Sequence, residues 1–256
     1  MATSSLHAMA RHILMLALGL ALGRAELALS ASLMVTPVSV DLGQNAASQL
    51  LTLKNQEDRE IRFEVSAFAW SEDENGEMVL APTEDLVVFP LLSSIAPHGE
   101  RTVRVGLARR GPTPVERTYR IFFEEMATPR TTTEAGTVRL TMRIGIPVFV
   151  APPKPTATAE LESLSFEHGE VRVRLAHRGN AHLRLTSVTI TAESANGAPV
   201  ARRDLKAWYL LAGGARQYDL RLEPEECNGA AQLLVEARWS GGNVSGRVAV
   251  PTDGCR

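Results

Sequence analysis

The sequence predicts an all-β protein built as two β-sandwiches in tandem, and three observations predict it. Between residues 33 and 150, seven short apolar or alternating runs are separated by turn residues about every ten positions, without a helical period. The segment Ala151-Pro152-Pro153-Lys154-Pro155-Thr156 then interrupts the pattern. Proline has no N–H for a sheet ladder, so this cluster reads as a semi-rigid extended hinge. Beyond it, short alternating runs resume to the C-terminus. A seven-strand count with this spacing matches an immunoglobulin-like sandwich.

The elements follow in order. Leu33 to Leu42 is the first strand, with Val38, Val40 and Leu42 on one face. Gln49 to Lys54 is the second, and Ile61 to Trp70 the third, stopping at the acidic turn Ser71-Glu72-Asp73-Glu74-Asn75-Gly76. Leu86 to Phe89 is ended by Pro90, and Thr102 to Leu107 follows Pro97-His98-Gly99. Thr118 to Glu125 and Val138 to Val150 close the first half. The second half offers Ala159 to Phe166, Val171 to His177, His182 to Ala192, a middle segment from Val200 to Leu211, and Arg216 to Leu222. A terminal hairpin joins Gln232–Trp239 to Val244–Val250 across Ser240-Gly241-Gly242-Asn243. Glu225-Glu226 and the Gly-rich turns read as solvated loops.

The N-terminus reads as a secretory leader. Arg11 and His12 precede an apolar run, Ile13 to Gly23, followed by the small residues Ala25, Ala28, Ser30 and Ala31. The run is too short for a membrane anchor, which needs roughly 20 apolar residues. The expected organisation is a signal peptide over 1–30, a first domain over 31–151, a linker over 152–157 and a second domain over 158–256, with no membrane insertion of the mature chain.

Composition narrows the chemistry. With 27 basic against 29 acidic residues, the chain lacks the concentrated basic field that nucleic-acid binding needs. Aromatics are only 5%, which argues against a stacking platform. The two cysteines, Cys227 and Cys255, flank the terminal hairpin, which returns its open ends to one place. In an oxidising compartment a disulfide is expected there; two cysteines without a nearby histidine do not make a metal site.

Nothing points to an enzyme or a cofactor. The histidines form no HExxH, His177 and His182 flank a turn, and His168 sits in a turn by composition. GxSxG, P-loop and dinucleotide motifs are absent from the sequence. Glu124 and Glu125 are strand neighbours and point to opposite faces, so they do not form an acid–base pair.

Val138 to Val150 stands apart. Val138, Leu140, Met142, Ile144 and Ile146 share one face, and Arg139, Thr141, Arg143 and Gly145 the other. Its bland reading is an ordinary core strand. As a seventh strand, however, it would lie at a sheet edge, where a long regular apolar strand is a liability unless something pairs with it.

Several ordered motifs resemble the periplasmic chaperones of chaperone–usher pilus assembly: Val35-Thr36-Pro37-Val38-Ser39-Val40, Leu51-Thr52-Leu53-Lys54-Asn55, Phe68-Ala69-Trp70, the run from Ile95 through Pro97-His98-Gly99 to Val105, Glu116 to Glu125, and Ile144-Gly145-Ile146-Pro147-Val148-Phe149-Val150. The second half adds Arg178-Gly179-Asn180-Ala181-His182. The resemblance implies a boomerang of two immunoglobulin-like domains and a function by donor-strand complementation, in which an edge strand completes an unfinished fibre subunit. It implies Val138, Leu140, Met142 and Ile144 as the lent side chains, pilus or fimbrial subunits and an outer-membrane usher as partners, the periplasm as location, and no ATP. A second copy capping the free strand is a further partner it leaves open.

The best-known branch of that family anchors the subunit's carboxylate with an Arg on the first strand and a Lys on the seventh. Here Leu33–Leu42 carries neither Arg nor Lys, and Ile144-Gly145-Ile146-Pro147 offers no Lys, which is similar to the archaic branch. Arg143, Arg120 and Arg104 are the substitute cations to examine, against a plain reading as a solvated sheet face. The competing function is a secreted tandem structural or adhesive module, followed distantly by a hydrolase with loop-borne residues.

Overall fold

A computed structural model describes residues 33–43, 46–109, 111–126 and 141–255. The expected leader and the lent positions Val138 and Leu140 fall outside these residues. The first half contains β1 (Leu33–Thr36), β2 (Val40–Leu42), β3 (Ser48–Asn55), β4 (Ile61–Glu72), β5 (Met78–Pro82), β6 (Leu86–Phe89), β7 (Leu92–Ile95), β8 (Glu100–Leu107), β9 (Arg117–Glu125) and β10 (Arg143–Val150). They form a sheet ordered β1-β3-β8-β6, facing one ordered β2-β10-β9-β4-β5 with β7 also on β4.

Alternation builds the core between these sheets. Leu51 and Leu53 of β3 and Val103 and Val105 of β8 face inward, and so do Phe63 and Val65 of β4, Ile121 and Phe123 of β9, and Val148 of β10. Burying such side chains supplies about 1.5–3 kcal/mol each before entropy is counted. Phe63 and Phe123 meet edge to face, their ring centroids 6.1 Å apart.

The first expected strand is two strands. Proline at position 37 donates no ladder hydrogen bond, and there the chain leaves β1 in one sheet and enters β2 in the other. Val38, expected on the core face, is 73% exposed at this crossing, whereas Val40 and Leu42 are buried. Two further strands, β5 and β7, were not legible. Both run along the outer side of β4 and are largely exposed at Met78, Val79 and Leu92; only Ile95, at the end of β7, is fully buried, and one buried residue imposes no alternation.

The second half contains β11 (Ala159–Glu167), β12 (Glu170–His177), β13 (Leu183–Glu193), β14 (Pro199–Leu205), β15 (Tyr209–Leu210), β16 (Ala215–Arg221), a short helix α1 (Pro224–Gly229), β17 (Gln232–Trp239) and β18 (Gly242–Ala249). A sheet β11-β12-β16 packs against one ordered β14-β13-β17-β18, with β15 also on β13. Val171, Val173, Leu175, Val188, Ile190, Leu233 and Val235 fill the space between them.

The helix corrects the expectation of a solvated loop at Glu225-Glu226. Pro224 opens it, where a missing N–H costs nothing, and Glu226 turns back to accept the Glu223 N–H at 3.2 Å. Glu226 also pairs with Arg203 of β14. The terminal turn is tighter than expected, since Trp239 already pairs with Gly242. Cys227, buried in α1, is bonded to Cys255 beyond β18, with Cα atoms 5.8 Å apart.

Candidate functional site

The edge of β10 is the first feature. Along its whole length β10 pairs with β9, from Arg143 opposite Glu124 to Val150 opposite Arg117. On its other side β2 pairs in parallel with Val148 to Val150 alone. Among the described residues, Arg143 to Pro147 therefore have a strand on one side and an open edge on the other. The cause lies upstream: the crossing at Pro37 leaves β2 only three residues long.

The two faces of β10 differ. Ile146, Val148 and Val150 are buried in the chain's own core, and Met142 and Ile144 are half-buried against its margin. Of the four expected lent positions, these two are described. They extend the inward face toward the open end. Arg143, Gly145, Pro147 and Phe149 take the outer face. Gly145 makes room for Phe122, whose ring lies where a side chain would start: a Cβ there would fall 2.9 Å from it.

The three candidate arginines separate. Arg143 lies 4.0 Å from the Phe122 ring centroid, is exposed, and pairs with Glu124 at 3.4 Å. Arg120, two residues before Phe122 on β9 and so on the same face, is buried. Its guanidinium lies 4.5 Å from the Trp70 ring centroid and 5.4 Å from that of Trp208. Its Nη1 donates to the Gly145 carbonyl at 3.3 Å, and its buried Nε has no partner. Burial pulls its pKa below the usual arginine value. No carboxylate pairs with Arg120 among the described residues. Arg104 sits on β8 in the opposite sheet and donates to Ser48 Oγ at 3.2 Å, so it does not join the other two.

Beside Arg120 the two sandwiches meet, and here sequence reasoning missed most. Trp70 and Phe149 of the first half pack with Tyr209 and Leu211 of the second. His182 stacks on Phe149 with centroids 3.5 Å apart. Glu116 accepts both the backbone N–H and ring Nδ1–H of His182, each at 2.8 Å. Asn180, in the Arg178–His182 motif, donates to the Pro114 and Lys154 carbonyls at 3.0 and 3.1 Å and accepts the Thr156 N–H at 2.7 Å. Four aromatics, Trp70, Phe149, Trp208 and Tyr209, gather at this junction. These partners lie far apart in sequence, and no local spacing signals them.

Residues noted as structural have structural partners. Glu125 is buried and pairs with Arg59 at 2.8 Å, which raises the arginine's pKa. His177 is buried, accepts the Gly179 N–H at 3.0 Å and has its pKa lowered by burial. Among the described residues no helix is long and apolar enough to cross a membrane.

Residues 32–156 match the model of a family described as pili and flagellar-assembly chaperone, PapD N-terminal domain. No curated protein matches the sequence. Solved structures share the fold over most of the chain. A structure titled as the CsuC–CsuE chaperone–tip adhesion subunit pre-assembly complex, from archaic Csu pili of Acinetobacter baumannii, is 15% identical with a TM-score of 0.58, covering 85% of this chain and 97% of the other. The YadV chaperone is 12% identical with a TM-score of 0.55, covering 85% and 98%. The Salmonella enterica SafA pilin–SafB chaperone complex is 11% identical with a TM-score of 0.53, covering 85% and 97%. At these identities the structures establish the fold. The first sandwich is therefore a PapD N-terminal domain of the pili- and flagellar-assembly chaperone family.

Proposed function

We propose that the chain is a periplasmic chaperone that binds pilus or fimbrial subunits by donor-strand complementation and passes them to an outer-membrane usher. The observation that carries this reading is the edge of β10 over Arg143–Pro147, which is open among the described residues. Unpaired N–H and C=O groups at such an edge can complete the sheet of another protein, while alternate apolar side chains fill its groove. The lent side chains are Val138, Leu140, Met142 and Ile144. The work is pairing and shielding, without chemistry and without a cofactor.

Arg120, with Arg143 on the same face, is the proposed cation for the subunit's terminal carboxylate. A buried guanidinium without a carboxylate partner gains most from a carboxylate brought to it. The neighbours titled as chaperone complexes with a pilin or tip adhesin support the choice of partner.

The test is co-expression in a periplasm with the subunits encoded beside the chain, comparing the unmodified protein with Leu140→Arg and Met142→Arg. One-to-one co-purification that is lost in both variants, while each keeps its own melting temperature, is the expected result. Capture that survives both charges, or no subunit retained by the unmodified chain, would leave a secreted module without chaperone activity.

A further inference from the structure

The first sandwich inserts two carboxylates into the second, and they are held differently. Glu116 has both its bonds from one residue, His182. Glu72, at the end of β4, has a side chain only 1% exposed. Its Oε2 accepts the Leu211 N–H at 2.9 Å, but its Oε1 is buried without a hydrogen-bond partner. The seat exists because position 214 is glycine: a Cβ there would lie 2.7 Å from Oε2.

The charged surroundings do not make up the deficit. Arg216 of β16 faces Glu72, yet its Nη2 stays 3.8 Å from Oε1. The same guanidinium donates to the Gly76 carbonyl and to Glu77 Oε1, the latter at 3.4 Å. Asp73 adds repulsion from the adjoining turn, and the Tyr218 hydroxyl, also on β16, lies within electrostatic reach. A buried carboxylate with one empty oxygen and a shared, distant cation is costly to keep ionised.

We infer that Glu72 is a proton-controlled positioning residue, which when neutral seats firmly in the second domain and when ionised loosens the docking of the two sandwiches. Burial raises its pKa from 4.5 to about 7, against the opposing pull of Leu211 and Arg216. The docked state therefore takes up a proton that the undocked state lacks between these two values. Docking is tightest on the acid side and weakens as pH rises through about 7. Because Trp70 and Phe149 at this junction adjoin the Arg120 face, the device would set the geometry around the open edge. It goes beyond the function proposed above and does not depend on which subunit is bound.

The experiment uses the mature chain alone. A ¹³C-carboxyl titration by NMR should show Glu72 titrating near neutrality. Exchange protection of the Leu211 amide, corrected for intrinsic rate, should be on the order of tenfold higher at about pH 5.5 than at about pH 8.5. Glu72→Gln, neutral at every pH, should hold the acid-side protection throughout. The inference is overturned by a Glu72 titration in the ordinary carboxylate range, by a flat protection profile in the unmodified chain, or by a Glu72→Gln profile that still follows pH. If the variant does not fold, the carboxyl titration of the unmodified protein decides the matter. Subunit capture enters none of these readouts, so the inference can fail while the chaperone reading stands.

Discussion

Asn55 ends β3 with its side chain fully buried. Its amide nitrogen donates to the carbonyls of Arg59, Ile95 and Ala96 at 2.7, 3.2 and 3.0 Å, and its oxygen accepts the Glu57 N–H at 2.9 Å. One side chain thus closes a turn and ties it to the approach to β8. Asn55→Ala leaves buried groups unpaired and should cost about 1–3 kcal/mol, read as a lower urea midpoint at unchanged slope. Sequence showed the asparagine after its strand and nothing of its partners, which lie up to 41 positions away. The three candidate arginines teach the same lesson. Each stands on a strand among apolar neighbours, but only the pairing of β9 with β10 distinguishes Arg120 and Arg143 from Arg104.

At the scale of elements, strands with one buried face were legible and those without were not. β3, β4 and β8 each turn one face to a core, β9 is covered on both faces but keeps an apolar inner face of Tyr119, Ile121 and Phe123, and the expected limits of all four agree to within two residues. The helix α1 did carry a signal in Glu223-Pro224-Glu225-Glu226, a proline at the start with a glutamate three residues after the cap. One turn of helix has no hydrophobic period, so this local signal stands alone. The disulfide was legible because a hairpin brings its ends together by its own geometry. It closes a separation of 28 residues. Replacing both cysteines by serine should destabilise the second sandwich by about 3 kcal/mol, seen as a lower melting transition for that half with the first half unchanged.

At the scale of the whole molecule, the two sandwiches meet through backbone as well as side chains. Gly76 has φ +80°, and a Cβ there would lie 2.7 Å from the Ala215 carbonyl oxygen. Gly76→Ala should therefore disturb the contact twice over, by strain and by pushing the halves apart. Faster exchange at Leu211 and Gln217, whose N–H groups bond across to Glu72 and to the Asn75 carbonyl, is the expected outcome. Unchanged exchange there would show that the approach is not tight in solution.

The amino-acid sequence by itself determined the all-β class, the strands that feed each core, the terminal disulfide and a family resemblance, because period, turn chemistry and hairpin closure act between near neighbours. Tertiary structure decided that β2 stops short and, among the described residues, leaves β10 open from Arg143 to Pro147, that Arg120 lies buried between two tryptophans, and that Glu72 reaches across to Leu211. Those outcomes depend on which strands become neighbours and where two sandwiches touch. Contacts between residues as many as 140 positions apart leave no periodic trace along the chain.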